Sequence, residues 1–173
     1  WQKAIGGGFY DDLYSLIRTS DGGFILGGSS SSDISGDKTE NCLGVYDYWV
    51  LKIDSVGNIK WQNTIGGDSS DQIQSIKETI DGGFILGGYS DSNAFGDKTE
   101  NSNGYTDFWI VKIDSLGNII WQNTIGGSDG DVLYSIDNTS DGGFVLGGIS
   151  QSGVSGDKIE GHWGWGDYWI VKV

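Results

Sequence analysis

The residues with the most chemical potential are carboxylates set three times in one loop pattern. Asp37, Glu40 and Asp47 fall within eleven residues, and the same types return as Asp97, Glu100 and Asp107 and again as Asp157, Glu160 and Asp167. Asn41 and Asn101 stand beside the first two sets. Carboxylates and carbonyls on a Gly-rich loop are hard oxygen donors, of which Ca²⁺ takes roughly six to eight, so these nine acids are candidate calcium ligands. The spacing is not that of an EF-hand: the run from Asp91 through Asn93 and Gly96 opens like one, but Phe95 takes the fifth position and no Glu follows at the twelfth. A plainer reading stands beside this one. Asp47 would cap a strand, and Lys38 would pair with Glu40 on a solvated loop.

Two aromatics form the second candidate. Gly161-His162-Trp163-Gly164-Trp165-Gly166 places Trp163 and Trp165 on a Gly-rich loop, where an exposed indole could stack on a sugar or pack against a neighbouring copy or chain. His162 has no counterpart, because Cys42 and Ser102 hold its place elsewhere, so a repeated His site is excluded. No Ser or Cys sits in an activated-nucleophile signature. Neither phosphate-loop pattern occurs among the glycines. The acids Asp11 and Asp12 are adjacent, but such pairs are expected in so acidic a chain. The expectation is a protein that is not an enzyme.

The bulk properties agree. The 173 residues are 36% hydrophobic and 13% aromatic, with eight Trp, enough for one domain with a core despite 31 Gly. A net charge of −14 argues against nucleic acid or an anionic membrane as partner. No apolar run approaches the roughly 18 residues of a membrane helix. A single Cys excludes a disulfide framework. Pro and Met are absent, and an opening at Trp1 suggests a processed product or a piece of something longer.

These residues recur because the chain is a threefold repeat. WQKAIGG at Trp1 returns as WQNTIGG at Trp61 and Trp121, and DGGFILGG at Asp21 returns at Asp81 and, with one change, at Asp141. The copies run 1–60, 61–120 and 121–173, all within a single repeat domain. Each reads as four short strands. In the second copy these are Asp71–Thr79, Phe84–Gly88, Phe108–Ile113 and Ile119–Ile125, with tight turns at Asp81-Gly82-Gly83 and Asp114–Asn118. A loop of about eighteen residues carries the acids. No helical period persists, so the class is all-β. The six Trp of the strands are expected to pack in the core.

Twelve strands in three units fit a β-propeller-like array of four-stranded blades, in which WQKAI at the N-terminus would complete the last blade. Three blades are fewer than the roughly four to eight of most propellers. The alternative is a β-trefoil, which is also built from three units of four strands.

The pattern DYWIVKIDSLGNIIWQNTIGG followed by DGGFILGG resembles the tandem β-propeller-like repeats of secreted and cell-surface Bacteroidetes proteins, many of them cargo of type IX secretion. It is also similar to the blades of quinoprotein-like propellers. The resemblance spans all three copies. It implies a propeller-like fold and an extracellular or cell-surface address, and the partner expected there is a protein or a glycan, with no insertion into the membrane. Asp54-Ser55-Val56 and Asp114-Ser115-Leu116 resemble the sites at which such bacteria attach O-glycans, which makes Ser55 and Ser115 candidate glycosylation sites. The function expected is a non-catalytic binding or scaffold module, an adhesin or filament component stiffened by Ca²⁺. A carbohydrate-binding lectin is the alternative. Further partners would be a second copy or additional repeats of a longer chain.

Overall fold

Strict alternation of apolar and polar residues marks a strand with one buried face, whereas an unbroken apolar run marks a strand buried on both. Both kinds occur here. The computed structural model describes residues 1–173, and no helix occurs in it. The first sheet is built from β1 (Asp11–Arg18), β2 (Phe24–Ser30), β3 (Asp47–Ile53) and β4 (Ile59–Ile65). The second holds β5 (Asp71–Glu78), β6 (Phe84–Ser90), β7 (Asp107–Ile113) and β8 (Ile119–Ile125). The third holds β9 (Asp131–Asn138), β10 (Phe144–Ser150) and β11 (Asp167–Lys172). Strands follow one another in each sheet in chain order, every neighbour antiparallel. The chain is therefore an all-β tandem of antiparallel sheets.

Each hairpin is closed by a glycine that the turn requires. Gly82 sits at φ +77°, with the Thr79 N–H donating to the Gly83 carbonyl at 2.9 Å. Gly117 holds φ +91° in the turn between β7 and β8. The long connection of each copy, from β2 to β3 or β6 to β7, runs as the loop that carries the acids.

The sheets stack face to face. Phe84, Leu86, Trp109, Val111 and Ile113 of the second sheet pack with Ile25, Tyr48 and Val50 of the first. From the other side of the same strands, Ile85, Phe108 and Ile110 pack with Leu133, Ile136 and Leu146 of the third. This is the alternation of adjacent residues to opposite faces, read off DFWIVKI with both faces covered. Strand β7 is accordingly buried along its whole length.

Two sequence expectations need correction. WQKAI forms no strand, so eleven strands stand where twelve were expected and the third sheet has three. WQKAI does not complete the third sheet. It lies along the first, with the Lys3 Nζ donating to the Gly57 carbonyl at 3.1 Å and the Trp1 ring against Gly57. The reason is local. Trp61 likewise sits on Gly117, with its indole N–H donating to the Ser115 carbonyl at 3.1 Å, so each WQ phrase docks on the last turn of the sheet that follows it in the chain. Between the sheets no strand ladder forms, only isolated parallel bridges of Tyr46 with Ser70 and Thr106 with Gly130 and a few loop hydrogen bonds, so the strands do not merge into one barrel. The sixty-residue period is kept, but the sheets run 11–65, 71–125 and 131–172, and the boundaries at 60 and 120 fall inside β4 and β8.

Candidate functional site

The acidic loop of the second copy is a clasp made of main-chain hydrogen bonds. Asp97 reaches back to the end of β4: its Oδ2 accepts the Gly66 N–H at 3.3 Å, and its own N–H donates to the Gly66 carbonyl at 2.9 Å. Lys98 is buried beneath the loop. Its ammonium donates to the Glu100 carbonyl and to Thr124 Oγ1, each at 2.8 Å, and lies 5.9 Å from the centre of the Trp109 ring. Burial lowers its pKa. Glu100 accepts the Thr124 N–H at 2.7 Å, which ties the loop to β8. Asp107, at the head of β7, accepts the Asn103 N–H at 2.6 Å.

The first copy repeats the arrangement. Asp37 accepts from Gly6, Glu40 from Thr64 and Asp47 from Leu43. Lys38 is buried rather than solvated, and it takes the main-chain carbonyl of Glu40 at 2.9 Å, not the carboxylate of the plainer reading. In the third copy Asp157 accepts from Gly126 at 3.1 Å and Asp167 from Trp163. No fourth strand stands beside Glu160 to supply the donor that Thr64 and Thr124 give elsewhere.

A second row of acids was missed from sequence. Asp71 opens β5, and its Oδ2 accepts the Gly67 N–H at 2.7 Å and the Ser92 hydroxyl at 3.0 Å. Asp131 does the same with Gly127 and Ser152 at 2.7 and 2.9 Å. The Asp71 N–H donates to the Tyr46 carbonyl at 2.6 Å, so this carboxylate stands at the junction of two sheets, near Asp47. Burial pushes its pKa up to about 6, with the Asp47 charge adding to the rise. Burial also raises Asp47, Asp97 and Asp107. The signal was present: an Asp opens the first strand of every copy, at 11, 71 and 131.

No group of three or more Asp, Glu, His or Cys side chains converges on one point, and eight of the nine loop acids accept a backbone N–H. The Oδ1 atoms of Asp47, Asp71, Asp107 and Asp131 are buried without a partner. A Cβ built at Gly66 would stand 1.9 Å from Asp47 Oδ1, and one at Gly126 would stand 1.8 Å from Asp107 Oδ1. Those two oxygens are packed against backbone.

Trp163 and Trp165 are 98% and 96% exposed, and neither meets another aromatic ring. Their counterparts reveal what the positions do. Leu43 lies against Gly96 of the next copy, and the Asn103 side chain donates to the Gly126 carbonyl and to Asp157 of the next copy, each at 3.4 Å. Trp163 holds the equivalent position in the third copy and is exposed. Ser55 and Ser115 stand exposed at turn tips, where Asp54 and Asp114 fold their carboxylates onto the backbone N–H groups of the same turns.

No protein-family model matches the chain, and no curated protein matches it either.

Proposed function

We propose that the chain is a non-catalytic extracellular scaffold, three sheets laid as propeller-like blades in a secreted or surface-displayed repeat protein that works as an adhesin or filament component. One observation carries this reading. The polar residues that recur in every copy are spent on joining strand to strand and sheet to sheet: Asp97 to Gly66, Lys98 to Thr124, Glu100 to Thr124, Asp71 to Gly67 and Ser92. A protein whose repeated chemistry is consumed by its own rigidity is suited to bearing load or presenting a surface. Calcium is not required by this reading, because the hydrogen bonds already close each loop. Ser55 and Ser115 are exposed at their turns, the positions at which an O-linked glycan would be carried.

The test is adhesion of the purified chain to cells and to extracellular polymers, with turnover of polysaccharide and peptide followed in parallel. Saturable adhesion without turnover supports the scaffold, and turnover overturns it. The lectin reading keeps one observation in its favour, the two exposed indoles of Trp163 and Trp165. A glycan array decides it. Signal that Trp163→Ala removes would make the third copy a sugar site.

A further inference from the structure

The two ends of the stack carry the two halves of one interface. At each internal junction a glycine of the earlier sheet receives an isoleucine of the later one: a Cβ at Gly27 would lie 2.3 Å from Ile76 Cδ1, and a Cβ at Gly87 would lie 2.1 Å from Ile136 Cδ1. The next socket in the series, Gly147, has no atom within 4 Å of that position. The first knob in the series, Leu16, is 53% exposed, whereas Ile76 and Ile136 are each 1% exposed. The aromatic contacts follow the same rule. Tyr48 packs on Trp109 at 4.9 Å between ring centres and donates to the Trp109 carbonyl at 3.0 Å, and Phe108 packs on Trp169 at 5.0 Å. Their successor, Tyr168, is 94% exposed, with Ile170 beside it at 72%. On the first sheet, a cavity of about 190 Å³ lined by Leu13, Leu26, Gly28 and Trp49 stands where that ring belongs.

We propose that this protein associates head to tail with a second copy of itself, the third sheet of one chain covering the first sheet of the next. The N-terminal segment is already placed for the union. Trp1 lies on Gly57 as Trp61 lies on Gly117, and Gly6 donates to Asp37 as Gly66 donates to Asp97. WQKAI therefore lies on the first sheet as the fourth strands of the first and second sheets lie on the sheets after them, and β11 is an edge strand paired on one side only. In the register of β3 with β4, where Tyr48 faces Ile65 and Lys52 faces Trp61, Tyr168 would face Ile5 and Lys172 would face Trp1 of the second copy. The free Ser135 hydroxyl would accept the N–H of Leu16 of that copy, as Ser15 and Ser75 accept from Ile76 and Ile136. An interface of this kind joins different surfaces on each partner, so it closes into a ring or grows as a fibre according to the rotation per step.

The proposal rests on the scaffold reading for its biological sense but fails separately from it. The chain is followed by sedimentation from low micromolar to millimolar concentration, beside Tyr168→Ser and Gly147→Val. Both substitutions fall on positions that touch nothing in the monomer's core, and circular dichroism and melting at low concentration check that each variant folds. The expected result is mass rising to two or more chains for the parent and a monomer for both variants under the same conditions. A parent that stays monomeric throughout overturns the proposal, as does association that both substitutions leave intact. A monomer that still adheres to cells would spare the scaffold reading, and an assembly that turns over substrate would sink only that reading.

Discussion

Gly87 lies directly beneath Ile136, close enough that a single added methyl would come within 2.1 Å of the isoleucine Cδ1. The second and third sheets approach as nearly as they do because this position, at the centre of β6, has no side chain. Both of its faces are needed for packing, which leaves no room for a compromise.

Gly87→Ala should therefore push the two sheets apart, at a cost of about 1–3 kcal/mol typical of overpacking. Gly147→Ala, the same substitution in the unfilled socket, should leave stability of the monomer nearly unchanged. Paired thermal melts at low protein concentration check this. Equal losses at the two positions would show that the cost lies in the strand and not in the contact.

The buried lysines make the second prediction. Lys98→Met keeps an apolar stem of similar length but leaves the Glu100 carbonyl and Thr124 Oγ1 without the donor they share. Removing one partner from a buried pair costs about 1–3 kcal/mol. Denaturant unfolding should show a lower midpoint with an unchanged slope.

The third concerns pH. Asp71 has its carboxyl raised from 3.8 to about 6, so the folded state holds that proton more tightly than the unfolded chain. Its contribution to stability therefore grows as the pH falls from about 6 towards 4 and fades as the pH rises. Asp47 and Asp107 act in the same direction. The turn acid Asp81 acts oppositely: its pKa is lowered to about 2 by hydrogen bonds from Thr79 and Lys112, so stability is lost once the pH drops below its ordinary value. Melting temperature should rise by a few degrees from neutral pH to about pH 4–5 and fall below that. Asp71→Asn should flatten the rise. A steady decline from neutrality would contradict the assignment.

The fourth separates calcium from structure. Melts in excess Ca²⁺ and in excess EDTA should coincide, since the loop acids are spent on backbone N–H groups. A ligand taken only by the folded state would raise the midpoint by mass action. A clear upward shift, lost in Asp97→Asn, would restore the loops as metal sites.

The strands and their faces were legible in the sequence because Trp109, Val111 and Ile113 alternate with Ile110 and Lys112 at strand period, and Gly82 and Gly117 mark the turns between them. The role of the acids was not. Asp37, Glu40 and Asp47 have the composition of a metal loop, and only the return of the chain to Gly6 and Thr64 turns them into clasps. That return is a long-range contact with no local signature. Asp71 was overlooked because one acid at a strand start looks like solvent-facing polarity until Tyr46 and Ser92 close over it. The placement of WQKAI was not legible because it is set by the Trp1 ring resting on the turn at Gly57, a contact fifty-six residues away that no local pattern announces.

The unequal covering of the three sheets has a kinetic consequence. Almost the same sequence, DFWIVKI and DYWIVK, is wholly enclosed as β7 and open on alternate residues as β11. Local opening is easiest where fewest neighbours must be broken, so amide hydrogens should exchange first from the third sheet and last from the second. Unfolding would then travel inward from the ends, with the middle copy as the last part to come undone.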